Sequence, residues 1–198
     1  MACWDILGKV SGLPVNTLLG GNFNPSGIPL YRAISQGSPS DMAQTVTKYL
    51  NAGYNRFQLK LGGDPNDDIE RITQCRRVLN SDCVLIGDSN TGWTSHQALR
   101  VVSAVRDLDV YIEQPCPSYD ECRVVRQHTD LPFVLDEVVD DLHSLIKVHK
   151  DGAADVVNIK ISKFGGLTKA KQALELCSKL GIAATIEDTW GGDIRSAS

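Results

Sequence analysis

Three apolar segments decide the fold, and they read V-L-I-G-D-S-N at 84–90, Y-I-E-Q-P at 111–115 and F-V-L-D-E at 133–137. Each segment carries an acid at its end, and Asp88, Glu113 and Asp136 follow one another at steps of 25 and 23 residues. Short apolar runs bounded by turn residues are typical of buried parallel strands. Because the carboxyl ends of parallel strands converge on one rim of a barrel, the segments predict an active site at that rim.

The three acids predict a cation site. A single acid at the end of a strand is usually a cap or a turn residue, but three in register are harder to explain in that way. Three carboxylates brought together repel one another unless protons or a cation compensate their charge. Hard divalent cations prefer oxygen ligands of this kind. We therefore predict that Asp88, Glu113 and Asp136 bind one Mg²⁺ ion.

The composition excludes several classes of protein. The 198 residues are 42% hydrophobic and 22% charged, and a net charge of -4 gives no sign of nucleic acid or an anionic membrane as partner. No apolar run approaches the roughly 18 residues of a membrane span, and the first residues lack the pattern of a signal peptide. Six scattered cysteines without a C-x-x-C pair predict free thiols and a cytoplasmic location.

The rest of the chain predicts strict alternation of strands and helices. Strands are expected at 28–34, 56–61, 84–88, 110–113, 133–136, 155–161 and 182–187. Helices should begin at caps formed by Ser40, Asp64, Thr94 and Ser118. This alternation indicates a parallel α/β sheet with right-handed crossovers, and the converging acids favour a (β/α)8-type TIM barrel that is incomplete, with about seven strands. Neither a dinucleotide-binding glycine motif nor a P-loop occurs.

Two lysines are expected to face the barrel interior. In the predicted strand 56–61, apolar residues alternate with Gln58 and Lys60. In the predicted strand 155–161, apolar residues alternate with Asn158 and Lys160. The apolar residues concerned are Phe57, Leu59, Leu61, Val157 and Ile159. If the apolar residues pack on the helices, Lys60 and Lys160 approach the acids from opposite sides of the barrel. Burial lowers the pKa of a lysine and makes it usable as a base. Gln58 and Asn90 are further candidates for contacts with the substrate or the ligands.

This set of residues predicts proton abstraction beside a carboxylate. A substrate carboxylate would chelate the cation, a lysine would remove the α-proton, and the cation would stabilise the enediolate that forms. A second lysine that returns the proton on the other face would give racemisation or epimerisation. Departure of a β-substituent would instead give dehydration.

The chain resembles the enolase superfamily, in its muconate lactonizing enzyme/mandelate racemase-like branch. The resemblance is carried by F-Q-L-K-L-G-G at 57–63, G-D-S-N-T-G-W at 87–93, I-E-Q-P at 112–115, L-D-E at 135–137 and N-I-K-I-S-K-F-G-G-L at 158–167. It implies the metal-ligand role for Asp88, Glu113 and Asp136. It also matches Lys60 to the second lysine of the K-x-K motif of that branch and Lys160 to the opposing lysine, while Gln58 replaces the first K-x-K lysine.

Within that branch the chain looks most like enzymes of proline derivatives, first cis-3-hydroxy-L-proline dehydratases and then hydroxyproline-betaine epimerases. The resemblance implies a small proline-type substrate whose cationic ring nitrogen could meet Glu187, Asp188 and Trp190 by charge or cation–π contact. It also implies that residues 1–27 lead in from a capping domain and that 28–198 form the partial catalytic barrel. Exposed strand edges and apolar surface in such a barrel favour a homo-oligomer.

Three alternatives stay open from the sequence. The chemistry could be epimerisation of proline betaines or another amino-acid racemisation. It could also be dipeptide epimerisation or cycloisomerisation. Finally, because the capping domain and the last strand are missing, the chain could be a truncated fragment or pseudoenzyme that keeps the site residues without turnover.

Overall fold

The computed structural model describes residues 1–21 and 27–187, and these residues contain one parallel sheet of seven strands. The strands are Arg32–Ile34 (β1), Arg56–Lys60 (β2), Val84–Asp88 (β3), Tyr111–Glu113 (β4), Phe133–Leu135 (β5), Val156–Lys160 (β6) and Ala183–Glu187 (β7). Each strand pairs in parallel with the next one along the chain, in the order β1 to β7. The predicted α/β alternation and the parallel sheet are confirmed.

Helices connect each strand to the next, and two further helices of the described residues precede β1. They are Ala2–Ser11 (α1), Val15–Leu18 (α2), Pro39–Asn51 (α3), Pro65–Arg77 (α4), Ser95–Ala104 (α5), Tyr119–Arg126 (α6), Leu142–Asp151 (α7) and Leu167–Leu180 (α8). Asp64, Thr94 and Ser118 cap α4, α5 and α6 as predicted. The predicted cap at Ser40 is wrong, because Ser38 accepts the Asp41 N–H and places Pro39 in the first turn, where a proline costs no hydrogen bond.

The two faces of the sheet separate apolar from polar side chains. Phe57 and Leu59 of β2 and Ile159 of β6 are fully buried in the apolar core that the helices cover. Gln58 lies on the opposite face, where its Nε2 donates to Glu187 Oε1 of β7 over 3.4 Å. A contact between β2 and β7 requires the sheet to curl, and the described residues therefore form seven strands of a TIM barrel with a polar interior.

Strand β1 is shorter than predicted. It covers only Arg32–Ile34, whereas Ile28 and Leu30 are exposed. Pro29 explains part of the difference, since it has no N–H to donate to a neighbouring strand. Before β1, α1 contacts the barrel through Trp4, whose Nε1 donates to Thr168 Oγ1 of α8 over 2.9 Å. Within the part of the chain that the structure describes, none of the helices has the length and apolarity needed to cross a membrane.

Candidate active site

The three predicted acids lie at the carboxyl ends of neighbouring strands. Asp88 and Glu113 are the last residues of β3 and β4, and Asp136 directly follows β5. The pairing register aligns Lys60 with Asp88 and Asp88 with Glu113 across β2, β3 and β4. All three carboxylates are buried, with 1–2% of each residue exposed. The structure thus brings the acids to one rim, and their role as metal ligands remains a prediction.

Both predicted lysines reach these acids. Lys60 Nζ lies 2.5 Å from Asp88 Oδ2. Lys160 Nζ donates to Asp136 Oδ2 and lies 3.4 Å from Glu187 Oε2. A lysine from β2 and a lysine from β6 therefore flank the acids, as the alternation of side chains on these strands predicts.

Glu113 is held by two amide side chains. Gln58 Nε2 donates to its Oε2 over 2.8 Å, and Asn158 Nδ2 donates to its Oε1 over 3.2 Å. Burial and the nearby charges of Asp88 and Asp136 raise the pKa of Glu113 to about 7, against the opposing effect of the two amides. The strands thus place Asp88 and Asp136 close enough for their charges to disfavour the charged form of Glu113.

The donor set suits a hard divalent cation. Three carboxylates supply oxygen ligands, and their mutual repulsion is the condition that a bound cation relieves. Asn158 Oδ1 adds a buried oxygen without a hydrogen-bond partner beside Glu113. Within residues 1–21 and 27–187, however, no three acid, histidine or cysteine side chains are arranged as a finished metal site. The carboxylates instead turn toward lysines and amides, so cation binding would require these contacts to loosen.

The pKa of Lys160 shifts in the direction opposite to the prediction. Burial alone would lower its pKa, but the hydrogen bond and the negative charge of Asp136 outweigh that effect, and Glu137 and Glu113 add to it. The pKa of Lys160 therefore lies above its ordinary value. The prediction of a lowered pKa is wrong because it considered burial without the acid beside the lysine.

Asn90 reaches the rim through a turn. Asn90 and Thr91 have φ angles of 44° and 68°, in the left-handed region that few residues other than glycine adopt. The Asn90 N–H donates to Asp88 Oδ1 over 2.8 Å, and its side-chain Nδ2 donates to Glu137 Oε1 over 3.1 Å. The predicted candidates Asp188 and Trp190 lie outside the described residues.

Three further residues support the site besides the predicted metal ligands, lysines and substrate contacts. Lys163 Nζ lies 2.8 Å from Asp136 Oδ1, because the turn after β6 returns this side chain to the rim that strict alternation would have it leave. Gln114 accepts the Asp136 N–H through its Oε1 over 2.9 Å, in a backbone with a φ of 36°. Asp68 joins the loops after β2 and β3. Gln114 and Lys163 had a local signal, since they lie inside the I-E-Q-P and N-I-K-I-S-K-F-G-G-L segments, whereas Asp68 had none.

Comparison with known proteins identifies the family. Residues 41–198 match the model of the family described as enolase C-terminal domain-like, which is most of the chain. The chain belongs to this family. The resemblance to the enolase superfamily is thereby confirmed, as is its barrel fold.

Individual relatives are enzymes of the same superfamily. The chain is 55% identical over 198 residues to cis-3-hydroxy-L-proline dehydratase from Roseibium aggregatum, covering 100% of this chain and 54% of that protein. It is 31% identical over 190 residues to N-succinyl-L-Arg/Lys racemase from Bacillus cereus, covering 94% and 51%. A solved enolase superfamily member from Roseovarius nubinhibens, complexed with magnesium, superposes with a TM-score of 0.92 at 36% identity, covering 99% and 53%. The chain thus spans about half the length of these relatives.

Proposed function

We propose that this chain carries the catalytic half of a Mg²⁺-dependent enzyme that removes the α-proton of an amino-acid carboxylate. We further propose cis-3-hydroxy-L-proline as its substrate and dehydration as its reaction. The supporting observation is that Lys60 and Lys160, on strands β2 and β6, each contact a rim acid, Asp88 and Asp136. The 55% identity to a dehydratase of this substrate favours the same chemistry.

Each group has a defined part in this proposal. Asp88, Glu113 and Asp136 would hold one Mg²⁺ ion. When bound, the ion would withdraw charge from the substrate carboxylate and so stabilise the anion left by the α-proton. Lys160, freed from Asp136 as that carboxylate turns to the ion, would lose the partner that raises its pKa and could then accept a proton. Lys60 would serve as the second proton carrier.

Dehydration requires a base and an acid. One lysine accepts the α-proton, and the electron pair left on the α-carbon forms the double bond as the 3-hydroxyl departs. The hydroxyl takes up a proton from a cationic lysine and leaves as water. The enamine that remains tautomerises to a pyrroline carboxylate, so no oxidant or reductant is needed.

Substrate recognition is proposed to involve the polar face of the barrel. Gln58, Asn90, Asp188 and Trp190 are the proposed contacts, together with Glu187. The cationic nitrogen of a proline ring needs a nearby negative charge or aromatic face. Gln58 is neutral and its amide already donates to Glu113 and Glu187, so it adds no positive charge that would repel such a ring.

Epimerisation is the second candidate, favoured by the same pair of lysines on separate strands. A lysine on each face of the α-carbon could remove a proton from one side and return one to the other. The 31% identity to N-succinyl-L-Arg/Lys racemase also favours this candidate, but it is lower than the 55% identity to the dehydratase. Proline betaines, 4-hydroxyproline betaine and other amino acids are the substrates proposed for this alternative.

Proton exchange tests the proposal. The 198-residue chain would be incubated in D₂O with Mg²⁺ and a panel of cis-3-hydroxy-L-proline, 4-hydroxyproline betaine, a dipeptide and muconate, followed by NMR. We expect loss of the α-proton signal and a pyrroline product with the first substrate. Deuterated diastereomers without loss of water would identify an epimerase instead. Undiminished exchange in Lys160→Ala would refute the mechanism, and turnover by the short chain would exclude an inactive fragment.

Three broader proposals accompany this function. Residues 1–27 are proposed as the lead-in to a capping domain, and 28–198 as the barrel domain. The enzyme is proposed to act on a small molecule in the cytoplasm, without nucleic acid or membrane partners. Self-association is proposed as well, since Ile186 of β7, the last strand that the structure describes, is 54% exposed and offers apolar surface to another copy. Sedimentation velocity of the purified chain would measure this self-association.

A further inference from the structure

Asp68 is a fully buried carboxylate that the proposed chemistry does not use. It lies in the first turns of α4, with none of its surface exposed. A buried charge is costly unless charged or polar groups surround it, so its retention here calls for an explanation. We propose that Asp68 is a positioning residue that holds Lys60 and Asp88 in register for proton transfer. This inference rests on the proposed function, because it concerns the same lysine and acid.

Asp68 collects donors from several loops. Its Oδ2 accepts the N–H groups of Gly62 and Gly63 over 3.0 and 2.9 Å, and the indole Nε1 of Trp93 over 2.9 Å. Its Oδ1 lies 2.7 Å from Arg71 Nη1. We call Asp68, Arg71 and Trp93 the rim clasp. Every donor to this carboxylate except Arg71 comes from a loop that follows a strand of the site.

Arg71 extends the clasp to a third loop. Its Nε donates to the carbonyl of Gly37 over 2.8 Å, in the loop after β1. The loops after β1, β2 and β3 are thereby joined at one buried ion pair. These loops form the same rim on which the acids lie, where substrates of barrel enzymes bind.

Short connections join the clasp to the site. Gly62 follows Lys60 by two residues, and the intervening Leu61 N–H donates to the Asp88 carbonyl over 2.8 Å. Trp93 follows Asp88 by five residues, and the Gly92 N–H donates to the Ser89 carbonyl over 2.8 Å. A shift of either loop would therefore change the 2.5 Å contact between Lys60 and Asp88.

The other end of the barrel offers a control in Asp155, which has similar partners but a side chain that is 45% exposed. Asp155 also accepts a backbone N–H, from Phe133 over 2.8 Å, and an arginine, Arg126, over 2.8 Å. Phe133 begins β5, so this carboxylate supports the amino ends of the strands, away from the rim. Loss of Asp155 should affect the fold without affecting the rim loops.

The experiment compares Asp68→Asn, Trp93→Phe and Asp155→Asn in the full 198-residue chain. Two quantities are measured at a temperature where each variant is folded: α-proton exchange with cis-3-hydroxy-L-proline and Mg²⁺, and hydrogen–deuterium exchange of the backbone amides. We expect Asp68→Asn to lower kcat about 10- to 100-fold with KM changed less than about 3-fold, since misplacement by about 1 Å has this effect. Amides of Leu61 and Gly92 should exchange about 10-fold faster.

The remaining variants separate positioning from stability. Trp93→Phe removes one donor and leaves the others, so it should lower kcat about 3- to 10-fold, and it tests the clasp if Asp68→Asn does not fold. Asp155→Asn should lower the Tm but leave kcat and the rim amides unchanged. An unchanged kcat in both clasp variants, or an equal loss in Asp155→Asn, would overturn the inference. If the wild-type chain exchanges no α-proton of the substrate, the proposed function fails. The clasp is tested separately: it is overturned if Asp68→Asn leaves the hydrogen–deuterium exchange of the Leu61 and Gly92 amides unaltered.

Discussion

Gly62→Ala is the substitution whose effect the structure predicts most sharply, because Gly53→Ala provides a control with almost the same φ. Gly62 has a φ of +95° and Gly53 has a φ of +93°. A Cβ added at Gly62 would lie 2.4 Å from the Ser89 carbonyl oxygen, whereas a Cβ at Gly53 would meet nothing within 4 Å. The pair therefore separates the cost of the conformation from the cost of the close approach between rim loops.

The magnitudes follow from these two costs. A side chain at positive φ lowers the free energy of unfolding by about 1–2 kcal/mol, and both variants carry this cost. At Gly62 the loops must also separate by about 1 Å to restore ordinary contact, and such overpacking costs about 1–3 kcal/mol more. We expect a loss of about 2–5 kcal/mol for Gly62→Ala and about 1–2 kcal/mol for Gly53→Ala. At about 2–4 °C per kcal/mol, the Tm should fall by about 10 °C and about 4 °C.

The assay is thermal unfolding followed by circular dichroism, with α-proton exchange measured well below each Tm. Gly62→Ala should also slow exchange, because the displaced loop carries Lys60 away from Asp88. Gly53→Ala, at the end of α3, should leave exchange unchanged. Equal losses of stability in the two variants would refute the close approach of the loops, and normal exchange in Gly62→Ala would refute its link to the site.

Other parts of the structure give further expected outcomes. In metal-free buffer, the Tm should fall as pH rises from about 4.5 to about 7. Folding raises the pKa of Glu113, so in this window the folded chain holds a proton that the unfolded chain has released. The Tm of Glu113→Gln should lack this fall. Lys163→Met removes one of the lysine ammonium groups that contact the buried Asp136, and it should lower the free energy of unfolding in urea by about 2 kcal/mol. The control Lys171→Met, at an exposed ion pair, should lower it by less than about 0.5 kcal/mol. Of the six free thiols only Cys3 is exposed, so a thiol reagent should label one cysteine quickly and the others on unfolding; several fast-reacting thiols would contradict the packing.

Much of the fold follows from local patterns in the sequence. Strand β2 alternates apolar and polar residues, which places Gln58 and Lys60 inside the barrel and Phe57 and Leu59 in the core. The capping box at Thr94 gives its helix a clear beginning. These features depend on residues a few positions apart, so periodicity and capping rules suffice to predict them.

The parts that the sequence did not reveal depend on contacts between distant segments. Asp68 looks like an ordinary acidic residue near the start of a helix, and its contact with Trp93 appears only once two loops pack together. Lys163 returns to Asp136 through a turn that alternation does not describe. The raised pKa of Lys160 likewise depends on an acid 24 residues away. Burial and periodicity alone could not supply these pairings.

The central claim is that Asp88, Glu113 and Asp136 act together as one divalent cation site, and calorimetric titration with Mg²⁺ tests it most directly. Glu113→Gln removes the central carboxylate, while Glu137→Gln removes an exposed carboxylate on the same rim and serves as the control. We predict saturable binding of one Mg²⁺ ion per chain in the wild type and in Glu137→Gln, and its loss in Glu113→Gln. Undiminished binding in Glu113→Gln, or no saturable binding by the wild-type chain, would contradict the account.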